Sequence, residues 1–152
     1  MRHLLLYMAF FATAIVCWSC DVETSSNGDL DGYWHLERID TIGGSGTGAC
    51  DYRDKQVFWS FQNGLAQMSG LGGNPVVCRM EYGDGRIMLS TPCLFDRTAG
   101  DSLLTDAALL RPYGINRLSE TFVVVGLSSE RLTLEAMQEA LLPQLRLTFR
   151  RY

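Results

Sequence analysis

The chain is 152 residues long, is 47% hydrophobic and carries a formal charge of −4. That length favours one domain with a real core, and the acidic balance excludes a nucleic-acid binder, which needs clustered basic charge. Basic charge is almost all arginine, Lys55 being the only lysine.

Met1-Arg2-His3 is a short basic start, and residues 4–16 are apolar. That run has the length of a signal-peptide core and is too short to span a bilayer. Val16-Cys17-Trp18-Ser19-Cys20 then resembles a bacterial lipobox, with small Ser19 before Cys20. Cys17 is the worse acceptor because Val16 before it is not small. Residues 1–19 are therefore expected to leave as a lipoprotein signal peptide, with Cys20 the lipidated residue; a plain secretory signal is the alternative. Residues 21–28 are polar and poor in bulky side chains, so residues 20–30 are read as a flexible tether. Their acidic residues resemble surface-export signals of Bacteroidota lipoproteins, and Asp21 resembles an inner-membrane retention signal of other bacteria. Residues 31–152 form the domain.

Gly32-Tyr33-Trp34-His35-Leu36 opens the first expected strand, 33–41, with Trp34 and Leu36 inward and His35 and Glu37 outward. Residues 43–48 are a glycine-rich mobile loop. The second strand, 55–62, points Val57, Trp59 and Phe61 one way. Asn63-Gly64 is a two-residue hairpin signal. It pairs Phe61 with Ala66 and Trp59 with Met68. The fourth strand is 76–82, and Asp84-Gly85 is another two-residue turn. That register pairs Tyr82 with Ile87, Met80 with Leu89 and Cys78 with Thr91; a one-residue slip would mix Ile87 with Arg79 and Glu81.

Residues 91–119 are the longest irregular stretch. Within it Thr105-Asp106-Ala107-Ala108-Leu109-Leu110 predicts one capped helical turn, stopped by Pro112. Strands follow at 120–127 and 131–136, with Val123 and Val125 facing Leu132 and Leu134. Leu145-Arg146-Leu147-Thr148-Phe149-Arg150-Arg151-Tyr152 is the last strand. The expected fold is all-β: an eight-stranded up-and-down antiparallel barrel. Tight and long connections alternate, so tight turns close the end near Trp34 and long loops crowd the other. Such a barrel has room for its own side chains or one small ligand.

Gly-x-Trp at the first strand, with an arginine near the end of the last, resembles the lipocalin signature. In that family the tryptophan plugs the barrel base and the arginine stacks across it, a favourable cation–π contact. Trp34 would be the plug, with Arg150 or Arg151 its partner. Leu30-Asp31-Gly32-Tyr33-Trp34, Val57-Phe58-Trp59-Ser60-Phe61, Leu110-Arg111-Pro112-Tyr113-Gly114-Ile115 and the closing strand together resemble lipocalin-like lipoproteins of Bacteroidota, a family of unknown function. The resemblance implies the fold, export to the cell envelope and a lipid anchor, with the outer membrane the expected site. It implies no reaction.

Catalysis has little material. With His3 lost in the signal, His35 is the only mature histidine, which rules out a histidine-based triad or a multi-histidine zinc site. No Gly-x-Ser-x-Gly elbow occurs. The glycine loop lacks the Lys-Ser/Thr of a phosphate loop. Asn27-Gly28-Asp29-Leu30-Asp31-Gly32 imitates the start of a calcium loop, but Arg38 stands where the bidentate Glu belongs. The expectation is no enzyme, no cofactor and no metal. Asp40-Thr41-Ile42 and Asp101-Ser102-Leu103 resemble the Asp-Ser/Thr-aliphatic sites O-glycosylated in exported Bacteroidota proteins.

Cys50, Cys78 and Cys93 remain after lipidation, an odd number, in a compartment that permits oxidation. Cys78 with Cys93 is the first disulfide candidate and Cys50 with Cys93 the second. At the loop-rich end Tyr52, Arg53, Phe95, Arg97, Arg111 and Tyr113 mix aromatic and guanidinium groups, which suit a sugar, a carboxylate or an apolar acid. The functional expectation is a lipid-anchored module binding a small apolar molecule or glycan through Tyr52, Arg53, Phe95, Arg111 and Tyr113. The alternative is an accessory envelope lipoprotein with a filled barrel and a protein partner, the same loop plugging the mouth.

Overall fold

A computed structural model describes residues 25–42, 48–138 and 143–152. The expected signal peptide, Cys20 and the first part of the expected tether lie outside the described residues, as does most of the glycine loop. The long strands are β1 (Gly32–Ile42), β3 (Phe58–Gln62), β4 (Leu65–Ser69), β5 (Val76–Gly83), β6 (Arg86–Leu94), β8 (Glu120–Leu127), β9 (Arg131–Ala136) and β10 (Gln144–Arg151). Two short strands, β2 (Ala49–Asp51) and β7 (Ser102–Leu103), add to β1 and β6. The path β1-β3-β4-β5-β6-β8-β9-β10 returns to β1, and every pairing is antiparallel. This is the expected closed eight-stranded barrel.

Asn63-Gly64 and Asp84-Gly85 set the register beside them as the sequence predicts, and Ser128, in the expected third tight turn, donates its amide to the Arg131 carbonyl at 2.9 Å. Asn63, Gly64, Asp84 and Gly85 have φ of 49°, 72°, 51° and 68°. Positive φ at both central residues matches the right-handed twist of the flanking strands. Phe61 faces Ala66, Trp59 faces Met68, Tyr82 faces Ile87 and Met80 faces Leu89.

Three bulges depart from simple alternation. In β1 the register shifts between Leu36 and Arg38, so the inward set runs Trp34, Leu36, then Ile39. In β6 the expected Cys78–Thr91 pair is replaced by a shift. Arg79 faces Ser90 but Val77 faces Cys93, and Thr91 takes φ of 50°. In β8 the shift falls at Val125, which is half exposed. There the expected inward phase is wrong: fully buried Phe122 points in, and Val123 faces Glu135. A bulge spends one extra residue and turns the following side chains to the other face, which alternation alone does not reveal.

Other differences are local. Strand β3 starts at Phe58 rather than Lys55, although Val57 is buried and its carbonyl takes the Leu36 amide at 2.9 Å. The single expected helical turn becomes two 3₁₀ turns, η2 (Ala107–Leu109) and η3 (Arg111–Tyr113). The Asp106 side chain caps η2 by accepting from the Ala108 amide at 3.0 Å. Pro112 does not stop the turn but sits in the first turn of η3, where no amide is needed. Before β1, Gly28–Leu30 forms a 3₁₀ turn, η1, with Leu30 fully buried. The segment around Leu30, expected at the end of the tether, is therefore packed at the barrel base.

Candidate functional site

The base of the barrel is built on Trp34. Its indole Nε1 donates to the Leu30 carbonyl at 2.8 Å, and the side chain is fully buried. The β1–β10 register sets Trp34 opposite Arg151, whose guanidinium carbon lies 4.4 Å from the centre of the indole ring. Arg151 Nη1 donates to the Asp31 carbonyl at 2.9 Å and Nη2 donates to the Asp29 carbonyl. Arg150 faces outward, its Nε 3.1 Å from Glu37 Oε1. Of the two candidate arginines, then, Arg151 covers Trp34. It shares strand parity with Leu147 and Phe149, both buried.

These contacts also occupy the segment that imitates a calcium loop. Asn27 Nδ2 donates to Asp31 Oδ1 at 2.8 Å, and the carbonyls of Asp29 and Asp31 are taken by Arg151.

Above the base the barrel is packed with its own side chains. Trp34, Trp59, Phe61, Phe122 and Phe149 are the largest fully buried groups. Trp59 meets Phe61, Phe122 and Phe149 edge-on, with ring centroids 6.0, 5.8 and 5.3 Å apart. That is the favoured geometry for aromatic quadrupoles.

The mouth is sealed by the segment carrying η2 and η3. Leu110, Tyr113 and Ile115 are buried. Gly114 has φ of 87°, and a Cβ there would come within 2.7 Å of Leu147 Cδ2, so only glycine lets this segment press onto the core. Tyr52, held beside β1 by its amide bond to the Glu37 carbonyl, donates its hydroxyl to the Pro112 carbonyl at 2.9 Å. Burial raises the pKa of both phenols, assisted for Tyr52 by nearby Cys50 and opposed for Tyr113 by a hydrogen bond from the Leu71 backbone.

The five candidate ligand residues thus separate. Tyr52 and Tyr113 form the plug. Arg111 and Arg53 are exposed. Arg53 forks onto Asp51, with Nε 3.1 Å from both carboxylate oxygens, and this pair holds Asp51 well below the usual carboxylate range. Phe95, with Arg97 5.7 Å from its ring centre, lines a different hollow from Arg53.

That hollow is on the outer wall of the barrel, over β3 to β6, and measures about 770 Å³. Val77, Cys93, Phe95 and Leu103 supply apolar surface; Gln62 and Gln67 supply amides. Of these the sequence singles out Phe95, Cys93 and Leu103, the last only within the Asp101-Ser102-Leu103 motif, whose Asp101 also lines the hollow. Outward strand positions alternate with the core, so their residues look like ordinary surface until a loop folds beside them.

Cys50, Cys78 and Cys93 are free thiols. The favoured Cys78–Cys93 disulfide assumed Cys78 opposite Thr91. The bulge instead leaves Cys93 on the outer face beside Val77, while Cys78 is buried with the inward set. Burial, and then Cys93, push the Cys78 thiol up to about 12. His35, expected at the surface, is covered by the 52–57 segment, its Nε2 2.6 Å from the Lys55 carbonyl. Glu120 was also missed: it is buried on the parity of Phe122, and its Oε2 accepts from the Asn116 amide at 2.5 Å.

No curated protein matches this chain. A lipocalin-like protein from Bacteroides uniformis is 22% identical and superposes with a TM-score of 0.54 over 82% of this chain and all of that one. An uncharacterised protein from Bacteroides eggerthii is 18% identical, with a TM-score of 0.49 over 81% of this chain and 99% of its own. The family model described as a lipocalin-like domain matches residues 14–152. By that match, which spans most of the chain, the chain belongs to the lipocalin-like domain family.

Proposed function

We propose that this protein is an exported, lipid-anchored binding module whose barrel is a filled scaffold and whose ligand surface is the outer wall. The carrying observation is the contrast between a sealed interior and an open groove. Five large aromatic side chains fill the barrel and Tyr52 ties the mouth shut, whereas the groove beside Phe95 offers about 770 Å³. Its mixture of apolar floor and amide rim suits a small amphipathic molecule or a short glycan, because apolar area supplies affinity and a few polar groups supply orientation. The anchor rests on Cys20, placed by the apolar leader and by Ser19 before it.

A protein partner is the second reading, favoured by the exposed Leu65 and Leu103 in the same groove. Native mass spectrometry of the protein released from its own membrane tests both. A co-purifying small molecule that is lost with Leu103→Asp and kept with Arg111→Ala supports the groove. A molecule retained by the groove variant and lost with Arg111→Ala returns the site to the mouth. For the anchor, labelled fatty acid that still enters the Cys20→Ala protein would sink the assignment.

A further inference from the structure

A second surface is independent of the groove. Tyr33 and Phe58 stack on the outer wall with centroids 4.8 Å apart and planes 20° from parallel. Tyr152 stands edge-on to both, at 5.9 and 5.1 Å. Tyr152 is 81% exposed and Tyr33 39%. Arg53, Lys55 and Arg150 line the same hollow. Aromatic rings with polar tips, bordered by long cationic side chains, match the composition of a membrane–water interface. There tyrosine sits at headgroup depth, while lysine and arginine lay their stems on apolar surface.

The start of the described chain says which way this patch faces. Ser25 lines one hollow with Gly32 and Tyr33. From there the chain is tied to the base: Asn27 bonds Asp31, Leu30 is fully buried, and Arg151 holds the Asp29 and Asp31 carbonyls. Five steps of chain separate Cys20 from Ser25, a reach of at most about 18 Å for extended chain. Strand β1 alone has 11 residues, about 36 Å of length. A lipid on Cys20 therefore cannot reach round to the mouth, and it holds the Trp34 end towards the bilayer.

We propose that the Tyr33–Phe58–Tyr152 patch rests on the lipid headgroups of the membrane that carries the anchor, so that the barrel stands with its base down and its mouth away. This rests on the lipid-anchor reading above. The guanidinium of Arg150 is paired with Glu37 and that of Arg53 with Asp51, so the contact is chiefly aromatic and depends little on salt.

The test uses vesicles of phosphatidylethanolamine and phosphatidylglycerol. The chain from residue 20 onward, carrying Cys20→Ala and made without its leader, is floated with them. Weak flotation is expected, reduced at least fivefold by Tyr33→Ser with Tyr152→Ser and unchanged by Leu65→Ser with Leu103→Ser. No flotation, or equal loss in both double variants, overturns the proposal. The unlipidated chain makes this arm independent of the anchor, whose own failure would appear only in fatty-acid labelling. Hydroxyl-radical footprinting of the lipidated wild type needs no variant to fold. Vesicles should shield Tyr33, Phe58 and Tyr152 and leave Leu103 reactive, relative to the unlipidated chain in buffer. An unchanged footprint at the three aromatics assigns the patch to a protein partner and overturns the proposal.

Discussion

Replacing Arg151 should unlock the barrel base, whereas replacing Arg150, its neighbour in sequence, should not. Arg151→Ala removes a guanidinium stacked 4.4 Å from the Trp34 ring centre and two hydrogen bonds to main-chain carbonyls. The stack is worth about 0.5–2 kcal/mol. Each bond from a charged donor is worth roughly 1.5 kcal/mol, the low end of its range, because the site is only partly shielded from water. The expected loss is about 3.5–5 kcal/mol. Arg150→Ala removes an outward pair with Glu37 whose arginine side chain is 58% exposed, worth about 0–1 kcal/mol. Urea unfolding followed by tryptophan fluorescence reads the difference. With an m-value of about 1–3 kcal/mol per molar, Arg151→Ala lowers the midpoint by roughly 1–5 M, and Arg150→Ala by at most about 1 M. Arg151→Lys keeps the charge but loses the planar fork, and should recover less than half of the loss. Equal midpoints for the two alanine variants would refute the assignment of Arg151 as the cover of Trp34.

Tyr113→Ala should cost about 3 kcal/mol or more, because it empties a buried site in the plug, while leaving any groove ligand bound; a folded variant that gains an interior ligand would show that the plug gates a cavity. Iodoacetamide should modify exposed Cys50 first, partly exposed Cys93 more slowly and buried Cys78 only on unfolding, counted by mass spectrometry. The Cys78 thiol, pushed up to about 12, binds its proton more tightly in the folded state. Its stabilising effect is complete below the unfolded value near 9 and is lost as pH rises towards 12. Stability should therefore fall over that window, less steeply in Cys78→Ala, and an identical alkaline profile would show that burial of the thiol is not felt.

The barrel itself was legible from sequence because its signals are local. Alternation over strands, Asn63-Gly64 and Asp84-Gly85 at the turns, and the order of long and short connections are properties of neighbouring residues, and they determine strand count, register and the end at which Trp34 sits. What sequence left open depended on contacts between distant residues. Arg150 and Arg151 are adjacent and chemically identical; only the register of β10 on β1 puts Arg151 over the indole. The bulges at Thr91 and Val125 reverse which side chains face in, and nothing in either segment announces the extra residue. The mouth residues looked like a site because aromatic and guanidinium groups share long loops. Tertiary folding split them, burying Tyr52 and Tyr113 in a plug and leaving Arg53 and Arg111 in solvent. The groove and the Tyr33–Phe58–Tyr152 patch exist only once strands far apart in sequence lie side by side, since an outward side chain acquires meaning from its neighbours across the sheet and not along the chain.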